Sequence, residues 1–408
     1  AICFLASHPS HLSLPSLVVV VVMIMMLNVM IVALAVVVVA SAQQHTPSSS
    51  SPLPETSELF VVDDDLSSAR YVPMWSPPPS TTTNGQQDYG KHEPRFHVWT
   101  PRVIVPSGGV SPVLPLVLFS VGWNASCKDH FHATLAETAS KLGAVVCCPK
   151  ERDELAACET TLRHWWALVT AASGIELSRT DVAVVGHSMG GAQALMHSAW
   201  RHSSKAIAPP KVTVSLSPYL LGGTTLDDTP PPLTSVRNPI VFVTGDADIS
   251  APPIIPKAMM ATEANSTSTQ GGGVGNDRLY YEIENGTHND IQDPRGALNS
   301  AQLDSCLNLF RRLSPIALYA PEQVHENADE LMKCANATDN NARLAAHRHL
   351  YLALACYLDS ANHDAVADVS ACTAWREEGR AMAQIAAASQ QAIEAARHAQ
   401  EAVVAAGG

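Results

Sequence analysis

The sequence predicts an α/β protein in which a mainly parallel central sheet is flanked by helices and followed by a helical C-terminal extension. Three observations carry this. Continuous apolar runs such as "LPLVLFSVG", "DVAVVGH" and "PIVFVTGD" have the composition of strands covered on both faces. Segments with helical periodicity separate them, and regular strand–helix alternation implies βαβ units with right-handed crossovers. Beyond about Leu313 the strand signals stop, and Ala-rich helical segments such as "REEGRAMAQIAAASQQAIEAARHAQEAVVAA" run to the end.

The elements follow in order. "RFHVWTPRVIV" reads as an edge hairpin interrupted by Pro101, and "LPLVLFSVG" as the first central strand. A helix over about Lys128 to Leu142 leads to the strand "GAVVCC". The amphipathic "ERDELAACETTLRHWWALVTAAS" is a long helix stopped by Gly174. Its Trp165 and Trp166 are assigned to packing against the sheet. Then come strand "DVAVVGH", helix "MGGAQALMHSAWRH", strand "KVTVSLS", a Pro/Gly-rich excursion, strand "PIVFVTGD", a helix near Ile254 to Glu263, and strand "RLYYEIE".

Upstream of the domain the character differs. Residues 12–40 carry no charge and precede the A-x-A-like Ala40-Ser41-Ala42, so residues 1–42 read as a cleaved secretory signal or an uncleaved signal anchor holding the chain to a membrane. Residues 43–90 form a Ser/Pro/Thr-rich tract with the composition of a disordered linker. The catalytic domain is placed at 91–313 and the helical extension at 314–408. A secreted or lumenal location agrees with the cysteines: Cys3 aside, eight remain, an even number suited to disulfides of undetermined pairing. N-glycosylation triplets begin at Asn124, Asn265, Asn285 and Asn336. The net charge of -13 and the lack of clustered Lys and Arg exclude a nucleic-acid partner. No spacing of Cys and His suggests a metal site. Oligomeric state is not legible.

One stretch carries chemistry. Gly186-His187-Ser188-Met189-Gly190 fits G-x-S-x-G, entered by a strand and left by a helix, which puts Ser188 on a sharp turn as a nucleophile. A serine needs a general base and an orienting carboxylate, in this fold in the order Ser, Asp/Glu, His. The strand segment "NPIVFVTGDADISAPP" ends in two aspartates, Asp246 and Asp248, and His288 follows "RLYYEIE". On order and position alone, Asp246 and Asp248 are both candidates for the acid. His97, His164 and His197 lie on strand or helix patterns and are assigned structural roles. The amide of Met189, directly after the nucleophile, is one oxyanion donor.

In these residues the chain resembles α/β-hydrolases of the dienelactone hydrolase, chlorophyllase and bacterial cutinase (polyester hydrolase) branch, over about Phe96 to Leu313. The resemblance implies an α/β-hydrolase fold, with "GDADISAP" placing Asp248 as the acid and "NGTH" placing His288 as the base. It implies the Trp123 amide as second oxyanion donor, although the branch often has His-Gly where this chain has Val121-Gly122. The side chains of Trp123 and of Tyr219, which matches a position often aromatic in the cutinases, are expected to border the acyl pocket, with simple packing as the alternative for both. The expected activity is a serine carboxylic-ester hydrolase acting on a small-molecule or polymeric ester, with no cofactor. A peptidase or thioesterase on the same fold, or a non-catalytic binding protein, are the alternatives.

Overall fold

The computed structural model describes residues 69–74, 94–101, 112–204, 207–220, 232–267, 277–293, 298–317, 321–334, 337–358 and 369–407. The signal or anchor segment, most of the 43–90 tract and the Pro/Gly-rich excursion lie outside them. Residues 56–391 form one unit. A second unit comprises residues 1–55 and 392–408, of which only helical residues 392–407 are described.

Eight strands make one sheet in the order β1-β2-β4-β3-β5-β6-β7-β8. They are β1 (Ala69–Met74), β2 (Phe96–Pro101), β3 (Val113–Ser120), β4 (Val145–Pro149), β5 (Glu176–His187), β6 (Val212–Leu216), β7 (Ile240–Gly245) and β8 (Arg278–Ile283). β2 runs antiparallel to both β1 and β4, and all other neighbours are parallel. This order, with β2 reversed and the G-x-S-x-G turn at the end of β5, is the α/β-hydrolase fold. The expected hairpin therefore has a different partner. β2 pairs with β1, which lies inside the tract read as linker; six residues containing Pro73 are too short a signal beside so much Ser and Pro.

Residues alternate between faces with period two, and the core divides accordingly. Val117, Phe119, Val146, Cys148, Ala183, Val185, Val241 and Val243 face one layer. It contains α1 (Cys127–His130), α2 (His132–Leu142) and α9 (Asn340–Ala355). Leu116, Leu118, Val145, Cys147, Val182 and Val184 face α3 (Leu155–Ser173), which ends at Gly174 with φ 75°, as its sequence predicts. Further along that face α4 (Met189–Ser203) and α5 (Ile254–Thr267) cover Ile240, Phe242 and Tyr280. A buried Arg201 on α4 pairs with Glu159 on α3, fixing the far end of the helix that begins at Ser188.

Four disulfides join Cys127 to Cys148, Cys147 to Cys158, Cys306 to Cys334 and Cys356 to Cys372. The adjacent Cys147 and Cys148 point to opposite faces of β4, so each fastens a different helix: α3 on one side and α1 on the other. The helices after β8 are α6 (Ser300–Leu313), α7 (Pro321–Glu326), α8 (Ala328–Lys333), α9 and α10 (Val369–Gly407). The expected extension is helical, and up to residue 391 it packs as part of the same unit. Leu350 and Leu354 of α9 join one core layer. α10 passes over the edge of β8, with Trp375 stacked on Tyr281 on one face and Ala383 packed with Tyr280 on the other. Ala-rich composition conceals this role, because small side chains let a helix approach closely without a strong apolar stripe.

At the crossing Gly379 leaves no room for a side chain. A Cβ there would lie 2.6 Å from Tyr281 Cζ and 3.0 Å from Leu279 Cβ, and the Tyr281 hydroxyl is held by the Trp375 carbonyl. Gly379→Ala gains about 1 kcal/mol in helix propensity, but overpacking costs about 1–3 kcal/mol. The variant is expected to unfold at lower urea concentration than the parent. An equal or higher midpoint would show that α10 can shift freely at this point.

Candidate active site

Ser188 occupies the turn between β5 and α4 with φ 58° and ψ −126°, a conformation that side chains rarely adopt. Its surroundings enforce it. Ser188 N–H donates to the Leu216 carbonyl at the end of β6 (3.0 Å), while the Ser188 carbonyl accepts from the amides of Gly191 and Tyr219 (2.9 Å each). The turn closes only because its flanks lack side chains. A Cβ on Gly186 would lie 2.7 Å from the Gly191 nitrogen, and one on Gly190 would lie 2.6 Å from the Val121 carbonyl oxygen. The G-x-S-x-G spacing is thus a requirement of backbone packing between β5, α4 and the end of β3.

His288 lies five residues past the end of β8, and Asp248 three past the end of β7. Their loops meet above Ser188. His288 Nδ1 is 2.9 Å from Asp248 Oδ2, and its Nε2 is 2.9 Å from Ser188 Oγ. A carboxylate oxygen accepts, so Nδ1 carries the proton and Nε2 offers its lone pair to the serine hydroxyl. Asp248 is fully buried; its Oδ1 accepts from the amides of Ser250 (2.9 Å) and Ala251 (2.8 Å), and its main-chain carbonyl accepts from Ser314. These donors fix which oxygen faces the imidazole. Asp246 instead lies 3.9 Å from Arg311. Burial raises its carboxyl above the ordinary value, with Arg311 pulling the other way. A chain of this kind can move the serine proton to the imidazole as Oγ attacks an electrophilic carbon.

The remaining predicted residues surround this chain in different ways. Met189 opens α4, so its amide is one of the first-turn N–H groups that have no acceptor within the helix. Gly122 is pressed against the nucleophile, with a Cβ there only 2.7 Å from Ser188 Cβ, which brings the Gly122–Trp123 turn beside Ser188. The Trp123 side chain is 80% exposed. It borders a cleft of about 520 Å³ shared with His97, Lys128, Lys150 and Arg152. Tyr219 reaches Ser188 through its main-chain amide. Of the histidines assigned structural roles, His97 bonds the Tyr71 hydroxyl and His197 is buried on α4 beside Trp200.

Two residues near the site were not singled out by the sequence. His187, the variable position of the motif, is buried and its Nε2 is 2.8 Å from the His288 main-chain carbonyl. Burial first, then the neighbouring His288, push His187 down to about 3. The signal available was a single polar residue ending an apolar run, with nothing to name its partner. Asp290 is buried too, and accepts from the Thr287 amide beside the base.

Burial is the largest influence on Asp290 and raises its carboxyl from 3.8 to about 7, against the bonds from Thr287. A carboxyl raised on folding contributes stability that is complete below its unfolded value and is lost as pH climbs through about 7. Asp290→Asn, which keeps the acceptor for Thr287, should match the parent near pH 4 and exceed it at pH 8 by about 4 kcal/mol. Urea unfolding at the two pH values checks this. Equal stabilities at pH 8 would remove Asp290 as a source of pH dependence.

Among the described residues, no His, Cys, Asp and Glu group is arranged to hold a metal, and no helix is long and apolar enough to cross a membrane. No family model and no curated protein sequence matches the chain. Solved structures with a similar outline include an esterase from the fungus Rhizomucor miehei: 15% identity, TM-score 0.32, covering 54% of this chain and 79% of that one. Another is a hyperthermophilic esterase from the archaeon Pyrobaculum calidifontis: 16% identity, TM-score 0.33, covering 55% and 83%. Likeness at this level does not bear on activity, and the fold rests on its own strand order and connections.

Proposed function

We propose that this chain is a serine carboxylic-ester hydrolase working through an acyl-enzyme. The observation that carries the reading is the hydrogen-bonded series Ser188–His288–Asp248, with Ser188 on a strained turn at the head of a helix. In the first step His288 takes the Ser188 proton as Oγ attacks the ester carbonyl. Asp248 holds the imidazole in place and stabilises its charged form. The amides of Met189 and Trp123 bind the oxyanion, and the helix dipole of α4 adds favourable charge. His288 then returns the proton to the leaving alcohol, and water repeats the sequence on the acyl-enzyme. Protein groups and water supply every proton and nucleophile in these steps.

The side chains of Trp123 and Tyr219 are assigned to substrate. The exposed indole suits a long or polymeric acyl chain better than it suits an enclosed pocket. Four disulfides support a secreted or lumenal setting for this activity, since such bonds persist in oxidising compartments.

The test is direct. A fluorophosphonate probe should label the protein at Ser188, and p-nitrophenyl esters of graded acyl length should be turned over faster than peptide anilides. An unlabelled, folded protein would end the proposal, and preferred cleavage of anilides would reassign it to peptide chemistry.

A further inference from the structure

We infer that His187 is a positioning residue for the general base: it tethers the main chain of His288 so that the imidazole meets Ser188. The inference rests on the ester-hydrolase reading for its activity measurements, and on geometry alone for its structural ones.

Three features bear on it. First, the bond has a fixed polarity. A main-chain carbonyl only accepts, so His187 Nε2 must carry a proton and donate it to His288 O at 2.8 Å. Second, the ring is enclosed. His187 is 1% exposed, lies between Phe131 (centroid distance 5.4 Å) and His288 (4.8 Å), and burial keeps it neutral. No described group reaches its Nδ1, so Nε2 makes its one directed contact. An apolar residue would fill that space without the cost of burying a bare nitrogen. Third, the tether and the nucleophile are consecutive residues. His187 holds the main chain of His288, while Ser188 receives its Nε2. The distance from serine to base is thereby set from the end of β5, although the base sits on a loop beyond β8.

The loop has other supports. Thr287 N–H donates to Asp290, and Gly286 packs on Gly245. Neither touches the carbonyl of His288 itself. Without the His187 donor that carbonyl is left buried against an apolar wall, and the peptide is free to rotate toward other donors. Rotation of that peptide swings the imidazole off the Ser188–Asp248 line. Misplacement of a catalytic group by about 1 Å can cost roughly 100-fold in rate.

His187→Phe keeps a ring of similar shape without the donor, and His187→Gln restores an N–H at nearly the same reach. The Phe variant is expected to lose roughly 10- to 100-fold in kcat on p-nitrophenyl butyrate with KM within about threefold. The Gln variant is expected to recover to within about fivefold of wild type. A role in packing alone predicts the reverse order, since Gln fills the site less well than Phe. His187→Leu serves as the donor-free variant if Phe overpacks, with thermal unfolding showing that each variant is folded.

The second measurement does not need turnover. The downfield proton resonance of the His288 Nδ1–H···Asp248 bond should persist in wild type and His187→Gln and broaden or vanish in the donor-free variants. An unchanged resonance in a folded donor-free variant, or kcat within twofold of wild type, overturns the tether. Absence of any Ser188-dependent turnover in wild type would overturn the ester-hydrolase reading instead, and the resonance would still decide the tether.

Discussion

Ser188→Ala is expected to lower kcat/KM for p-nitrophenyl butyrate by at least about 10⁴-fold while leaving the fold intact. The size of the loss follows from what remains. Without Oγ there is no acyl-enzyme, and His288 and the oxyanion donors can only assist direct attack by water. The structural cost is small, because the strained turn is imposed by bonds to Leu216, Gly191 and Tyr219 that Ala makes equally well. Near-wild-type thermal unfolding together with lost turnover and lost probe labelling is the expected combination. Retained turnover in this variant would transfer the chemistry to another group and sink the proposal.

Asp248→Asn is expected to cost about 10⁴-fold in kcat, the scale seen when an orienting carboxylate is replaced by its amide. Here the reason can be traced atom by atom. The amides of Ser250 and Ala251 demand an acceptor at Oδ1, so the Asn oxygen must take that place and its NH₂ must face His288. An NH₂ at that point requires a bare Nδ1, which moves the imidazole proton to Nε2. His288 then presents a donor to Ser188 and cannot accept its proton. Asp246→Asn is the control, expected to stay within about threefold of wild type because Asp246 faces Arg311 rather than the imidazole. A larger loss in Asp246→Asn than in Asp248→Asn would exchange their roles.

Much of this was legible in the chain itself, for identifiable reasons. Central strands such as β5 and β7 are covered on both faces, and double coverage leaves an apolar run that needs no partner to be recognised. Ser188, Asp248 and His288 each follow a strand at its C-terminal end, so their order along the sequence already carried their meeting point. What was hidden depends on partners that lie elsewhere or have no side chain. β1 is a strand only by virtue of its ladder to β2. The tether of His187 ends on a main-chain carbonyl, which no residue type announces. α10 covers the β8 edge through Gly379 and a few alanines, and a helix of small residues reads as featureless until its neighbour is known.

The paired cysteines of β4 have a consequence for how the seating of that strand can be read. Cys127 and Cys158 must each choose between two sulfurs that are adjacent in sequence. Distance along the chain hardly separates the choices. The pleat does, because neighbouring residues project to opposite faces, and a slip of β4 by one residue would exchange them. The bonds Cys127–Cys148 and Cys147–Cys158 therefore close together only when the strand is in its native register. The native pairing reports the register of β4, whereas a one-residue slip presents the wrong sulfur to a partner helix.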